Sequence, residues 1–421
     1  MEATSMTFDP RSIRSEFPAL ASGAIYFDNP GGTQVHQNVT KRMLDYLIHS
    51  NANHGGAFKT SYRSDALIEE ARRSVAAMLN AATPEEVYFG PNMTTLTFSL
   101  SRALALELEP GDEIVVTRLD HDANISPWLR VAEDRGCHVR WLDFDVEDCT
   151  LRLDQLQDLV TDRTRLVAVG YASNAVGTIN PVQEIASRAH QAGALCFVDA
   201  VQYAPHGPID VQKLDCDFLV VSAYKFFGPH VGAMYGKHQH LKRLAAYKVR
   251  PAPDQPPGKF ETGTQNHEGL AGMLGAVEYL ASLGERFAGA DAEPGTVNMQ
   301  SIAAGMEVIR DVETSLSRAL IEGLSGIPGI HIWGITEPDR VLDRVPTVSF
   351  TMQGHPPREI AEYLGEHEIY VWDGNYYALA VTERLGLEGS GGMLRVGLTH
   401  YNTQQEIGKL IEALQQLAAQ S

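Results

Sequence analysis

A chain of 421 residues, 44% hydrophobic and 21% charged, is too long for one ordinary core and too apolar to be disordered, so two globular domains are expected. Its formal charge of −19 excludes a broad electrostatic grip on nucleic acid or anionic lipid, while leaving room for a local pocket for a small anion. No apolar run approaches the roughly 18 residues of a membrane span, Met1–Pro10 lacks the basic and apolar regions of a secretory signal, and Cys137, Cys149, Cys196 and Cys216 have no metal-binding spacing. A cytoplasmic protein with reduced thiols, no metal and no membrane or nucleic-acid partner is the expectation.

Along the chain, short runs rich in β-branched and aromatic residues read as strands: Ala24–Asp28, Glu86–Gly90, Glu113–Thr117, His138–Leu142, Arg165–Gly170, Leu195–Asp199, Phe218–Ser222 and Gly232–Tyr235. Helical periodicity fills many intervals, as in Ser64–Leu79, Thr95–Leu106 and Val182–Ala192. Such alternation marks a mainly parallel sheet wrapped by helices, here a large domain over residues 30–285. After the proline-rich Pro251–Pro257 and a helix over Glu268–Leu283 the pattern changes. An amphipathic segment, Val297–Leu324, leads to a strand at Val345–Met352, a helix at Pro357–His367, strands near Ile369–Trp372 and Met393–Leu398, and a last helix, Gln404–Ala419. Residues 286–421 thus predict a smaller α+β domain, completed by residues 1–29.

Ligands of an open parallel sheet sit beyond the carboxyl ends of its strands, and several polar residues fall at such ends. Asp199 closes the run Leu195–Val198. Lys225 follows Phe218–Val221 in Ser222-Ala223-Tyr224-Lys225-Phe226-Phe227-Gly228-Pro229, and its small and aromatic neighbours favour a neutral amine suited to imine chemistry. Phe89-Gly90-Pro91-Asn92-Met93-Thr94-Thr95 is a strand end opening into a helix, where hydroxyls and unpaired N–H groups suit a phosphate monoester. His121 follows the strand Glu113–Thr117, where an imidazole can stack on an aromatic ring, and Asn174 follows Arg165–Gly170. Taken singly, each also has a plain reading as a surface lysine, a helix cap, a loop histidine or a turn.

Together these segments resemble the class V aminotransferase and cysteine desulfurase family of fold-type I pyridoxal-phosphate enzymes, over nearly the whole chain. The resemblance implies a large, mainly parallel seven-stranded sheet domain with a small α+β domain, and a homodimer with shared active sites. It implies pyridoxal 5'-phosphate as cofactor, Lys225 as its Schiff-base lysine, Asp199 on the pyridine nitrogen and His121 stacked on the ring. Asn174 and Gln202 would face the 3-hydroxyl side; Met93, Thr94, Thr95 and Ser222 would hold the phosphate, with Gly263 and Thr264 reaching it from the neighbouring subunit. Arg395, in Met393-Leu394-Arg395-Val396-Gly397-Leu398, matches the arginine that grips the carboxylate of an amino-acid substrate.

The pattern breaks where a desulfurase needs its thiolate. The corresponding stretch reads Trp372-Asp373-Gly374-Asn375-Tyr376-Tyr377-Ala378, with the cysteine's place falling near Tyr377, and no cysteine follows Cys216. Tyr224 stands where desulfurases commonly have histidine, and Gly55 where they have arginine. A phenol cannot form a persulfide, so Asn375, Tyr376 and Tyr377 are read as a substrate-binding wall, with Asp373 available to a cationic group. A carbon–sulfur lyase working by β-elimination is the expected activity, with aminotransferase or epimerase as the alternatives and a non-catalytic cofactor-binding scaffold as a reading of another class. A nicotinamide dehydrogenase is disfavoured, because no G-x-G-x-x-G turn follows the first strand.

Overall fold

The computed structural model describes residues 8–289 and 297–419. The reading of the leader, which rests on Met1–Pro10, falls mostly outside them. The strands are β1 (Ile25–Tyr26), β2 (Val87–Gly90), β3 (Glu113–Thr117), β4 (His138–Leu142), β5 (Thr164–Gly170), β6 (Leu195–Asp199), β7 (Phe218–Ser222), β8 (Gly232–Gly236), β9 (Ile330–Trp333), β10 (Thr347–Met352), β11 (Ile369–Tyr370), β12 (Trp372–Gly374) and β13 (Met393–Gly397).

Seven of them form one sheet in the order β2-β8-β7-β6-β5-β3-β4. The pairs from β7 through β6, β5 and β3 to β4 are parallel, while β8 runs antiparallel to both β2 and β7. The central strands are apolar on both faces because helices cover both: Ile114, Val115 and Val116, like Val167, Ala168 and Val169, are fully buried. β8 carries glycine for a geometric reason. A Cβ at Gly232 would stand 2.8 Å from the backbone carbon of Asn92, so only glycine lets the strand pass under the start of the helix Met93–Ala105.

A second sheet, β12-β13-β10-β9, is antiparallel throughout. β1 pairs in parallel with β11, and an isolated bridge joins Asp28 to Gly397. Ile25 and Phe27 pack with Phe350, Leu394, Val396, Ile407 and Leu410 in the core of this smaller unit. Arg14 fastens the same region, donating to the Tyr401 carbonyl at 2.7 Å and pairing with Glu406 at 2.9 Å.

The strand β9 was not foreseen in the sequence, and two further differences have a visible cause. The single strand near Ile369–Trp372 is two, because the chain changes sheets at Val371: Ile369 and Tyr370 pair with β1, whereas Trp372–Gly374 pair with β13. The helix expected from Ser64 begins at Lys59, since the hydroxyls of Ser61 and Ser64 each donate at 2.7 Å to the carbonyls of Asn53 and Ala52 and hold the preceding loop instead of ending the helix. Among the described residues no helix is long and apolar enough to cross a membrane, and no cluster of histidine, cysteine or carboxylate could hold a metal ion.

Candidate active site

The carboxyl ends of β5, β6 and β7 open on one pocket. Asp199, the last residue of β6, is buried there and accepts from the Val201 N–H at 2.9 Å; burial raises its pKa to about 6. Lys225 closes a single turn, Ala223–Lys225, directly after β7. Its side chain is buried, its amine donates to the Pro30 carbonyl, and it rides 4.8 Å above the ring of Tyr224. Burial, reinforced by the positive charge of Arg395, lowers its pKa to about 7, so much of the amine is neutral near neutral pH.

One end of the pocket is the start of the helix Met93–Ala105. Asn92 caps it by accepting from the Thr95 N–H at 2.9 Å, and the Met93 N–H donates to the Ser222 hydroxyl oxygen at 3.0 Å. The Ser222 hydroxyl therefore keeps its own proton to offer an anion. Thr94 faces the pocket; Thr95 is exposed and does not line it.

His121 lines another side. Its Nδ1 accepts from the Ala123 N–H at 3.0 Å, and burial, with the charges of Lys225 and Arg395, lowers its pKa to about 4, leaving a neutral ring. Beneath it lies Asp120, a pocket residue that sequence reasoning missed. Its two carboxylate oxygens accept from the Gly170 N–H at 2.7 Å and the Asn124 amide at 2.8 Å, which ties the His121 loop to the end of β5. Burial raises the Asp120 pKa to about 8.

Arg395 comes from β13 in the smaller unit and is 3% exposed, yet it forms no ion pair among the described residues. One Nη donates to the Asn174 carbonyl at 2.9 Å, the guanidinium lies 4.2 Å from the Tyr376 ring centroid, and its buried Nε has no partner. Asp28 lies in the same field: burial raises its pKa against the pull of Arg395 and Lys225, and its Oδ1 has no partner. Neither Asp28 nor Pro30 was singled out in the sequence. The turn residues Asp28-Asn29-Pro30-Gly31-Gly32 directly after a strand were the signal available.

The pocket thus gathers Lys225, Asp199, His121, Met93, Thr94, Asn174, Gln202 and Ser222. Tyr376 sits behind Arg395 with its hydroxyl committed to the Met393 carbonyl, and its own carbonyl accepts from the Asn174 amide at 2.9 Å. Tyr377 stands outside on His121. Asn375 is turned to Glu388, at 3.1 Å, and Asp373 is already paired with Arg358 at 3.1 Å. Gly263 and Thr264 lie on an exposed loop of this chain, away from its pocket. None of the four cysteines lines the pocket, and three of them are buried elsewhere.

A family model described as aminotransferase class-V matches residues 25–293 and 297–410. The chain belongs to the class V aminotransferase family. It is 35% identical to the aminotransferase-like protein FGM3 of Gibberella zeae over 98% of this chain and 99% of that one. It is 31% identical to a cysteine desulfurase of Serratia proteamaculans, over 98% and 99% of the two chains. Among solved structures it resembles the apo cysteine desulfurase of Thermococcus onnurineus NA1, with a TM-score of 0.88 and 26% identity over 99% of this chain and 100% of that one. The cysteine desulfurase CsdA of Escherichia coli gives a TM-score of 0.84 at 27% identity, over 99% of both chains. The protein is therefore a pyridoxal-phosphate-dependent enzyme of the class V aminotransferase family, with the fold of the desulfurases.

The pocket fits that cofactor. It presents a buried lysine without an ion pair, a carboxylate at the facing strand end, a helix start at one end, and two buried side-chain acceptors without partners, Asn174 Oδ1 and Gln202 Oε1. Buried polar atoms without partners are rare, and their convergence on one cavity marks where a ligand's own donors belong.

Proposed function

We propose that this class V enzyme cleaves the carbon–sulfur bond of an S-substituted cysteine by β-elimination. The observation that carries the reading is the tyrosine at position 377: it stacks on His121 where a desulfurase would present its thiol, and no cysteine lines the pocket. Sulfur transfer to the protein has no acceptor there, which leaves release of the sulfur group.

Pyridoxal phosphate, when bound, supplies a ring that accepts the electrons left on the substrate α-carbon. Lys225 would hold it covalently, Asp199 would keep a proton on the pyridine nitrogen, and His121 would cover one face. Asn174 and Gln202 would receive the 3-hydroxyl side, and the start of the helix Met93–Ala105, with Thr94 and Ser222 but without the outward Thr95, the phosphate. Arg395 would take the substrate carboxylate, which would give its unpartnered Nε a charge to meet. The Lys225 amine, whose pKa burial lowers to about 7 in the protein as it stands, would also be the group placed to take the α-proton. Elimination would leave the Cβ–S electron pair on sulfur, which would take up a proton, and the released 2-aminoacrylate would react with water to give pyruvate and ammonia.

The same reading makes residues 30–285 the cofactor domain, residues 1–29 with 286–421 the small domain, and the working unit a homodimer in which Gly263 and Thr264 serve the other subunit's phosphate. An aminotransferase is the second reading, favoured by the likeness to FGM3. Incubation with S-substituted cysteines distinguishes them: pyruvate with ammonia marks elimination, and amino-group transfer to an added 2-oxo acid marks transamination. Sulfide and alanine formed from free cysteine at an enzymatic rate would overturn the proposal.

A further inference from the structure

Arg72 and Glu261 form a buried ion pair that the chemistry above does not use. Arg72 is 4% exposed and donates to both carboxylate oxygens of Glu261, at 2.8 and 3.2 Å. It also donates to the Val87 carbonyl at 2.7 Å and lies 5.0 Å over the Phe89 ring, while Glu261 Oε1 accepts from the Phe89 N–H at 2.9 Å. Three separate elements therefore meet at one pair: the helix Lys59–Leu79, the edge strand β2, and the loop that begins at Glu261.

The two segments that the pair joins stand next to groups that the proposed function assigns to phosphate. Phe89 lies four residues before Met93, where the chain's own helix start faces the pocket. Glu261 lies two residues before Gly263, on the loop assigned to the neighbouring subunit. The far end of that loop is fixed as well, because Asn266 caps the helix His267–Phe287 by accepting from the Gly269 N–H at 2.8 Å. Thr262, Gly263 and Thr264 between these anchors are exposed, and Gly263 takes φ +75°. A short exposed loop pinned at both ends loses little freedom on meeting a partner, which suits presentation to a second copy of this chain.

We infer that the Arg72–Glu261 pair is a positioning device that ties each subunit's own phosphate-facing helix start to the loop it lends to its neighbour, so that one ion pair sets two phosphate cradles. The inference rests on the proposed cofactor site and dimer. It separates phosphate binding from the chemistry at the lysine: the cradles meet the phosphate ester, whereas Lys225 meets the aldehyde.

The test compares pyridoxal 5'-phosphate with pyridoxal, which has the same aldehyde and no phosphate, on the full-length protein stripped of cofactor, following the visible band and thermal unfolding. Breaking a buried pair from one side leaves a charge unmatched and threatens the fold, so the informative variant is the double one, Arg72→Met with Glu261→Gln, which removes both charges and keeps an acceptor for the Phe89 N–H. Expected is pyridoxal 5'-phosphate binding weakened at least tenfold, pyridoxal binding within twofold of the parent, and a melting temperature within a few degrees. In a mixed dimer whose other subunit carries Lys225→Ala, the double variant should weaken the one remaining site whichever subunit bears it. Equal losses for both aldehydes, unchanged phosphate-ester binding, or an effect confined to one subunit would overturn the inference. A parent protein that gives no visible band with pyridoxal 5'-phosphate would overturn the proposed site itself, and the inference with it.

Discussion

The ring of Tyr377 lies over the imidazole of His121, with centroids 5.7 Å apart and planes inclined by 23°, while the Tyr377 carbonyl accepts from the Asp122 N–H at 2.6 Å. Tyr377 is 75% exposed, and both it and Tyr376 adopt left-handed backbone angles, φ +59° and +56°. A loop held in this uncommon conformation delivers a phenol to the outer face of the histidine. An exposed aromatic contact of this kind is worth about 0.5–1 kcal/mol. Tyr377→Ala should therefore lower kcat/KM about two- to fivefold with the cofactor band intact, and Tyr377→Phe should match the parent; steady-state kinetics on the two variants checks this.

Lys225→Ala should abolish the visible absorption band and reduce turnover by about 10³-fold or more, because the same amine is assigned both the attachment and the α-proton. A titration of the variant with pyridoxal 5'-phosphate, followed by its visible absorption, should show only the free aldehyde. A retained band would place the attachment on another lysine.

Arg395 is buried with one hydrogen bond to protein and, among the described residues, no ion pair, which leaves its charge for a substrate carboxylate. Arg395→Ala should lower kcat/KM for amino acids by about 10- to 100-fold, the worth of hydrogen bonds to a charged group. Binding of the corresponding amines without a carboxylate should be unchanged. Arg395→Lys should recover only part of the loss, because an ammonium cannot make the two-pronged contact.

Asp217, at the opposite end of the sheet, reports on stability. Burial alone would raise its pKa, but hydrogen bonds from His240, the Cys196 N–H and His190 hold it well below the carboxylate range. A depressed folded-state pKa contributes stability that is present above the unfolded value, near 4, and is lost as pH falls through the folded value. Asp217→Asn should therefore cost about 3–5 kcal/mol at pH 7, and the gap between parent and variant should narrow below about pH 4. Urea unfolding at several pH values measures it.

Much of this architecture was legible because it is written in local pattern. β3, β6 and β7 carry the bounds read from their apolar runs, since a strand buried on both faces has no reason to include polar residues until it reaches the rim; the edge strand β4 also keeps its bounds, although it is partly exposed. The rim residues Asp199, Ser222 and Lys225 were visible for the same reason. What could not be read depends on distant contacts. Asp28 and Pro30 come to the lysine because Asp28 bridges Gly397, and a Cβ at Gly397 would stand 2.0 Å from the Pro30 ring. Asp120 looked like one more loop carboxylate until Gly170, fifty positions on, supplied its partner. Tyr376 was read as substrate wall from its neighbours in sequence, whereas the chain turns its ring under Arg395. Val371 gives no local sign that two different sheets claim the residues on either side of it.

The carbonyl that receives the Lys225 amine belongs to Pro30, and the turn holding Pro30 is stitched to residues near position 400: the Asn29 amide donates to Gly397 at 2.8 Å and to Asn402 at 3.1 Å, and the Tyr401 hydroxyl donates to Asn29. The same turn is held from the large sheet as well, where the Thr33 N–H donates to the Tyr224 carbonyl at 3.0 Å and the Phe227 N–H donates to the Thr33 hydroxyl oxygen at 2.8 Å. The lysine's enclosure therefore joins the two ends of the chain to its middle, and it is complete only once the segment around position 400 has docked on the turn at Asn29.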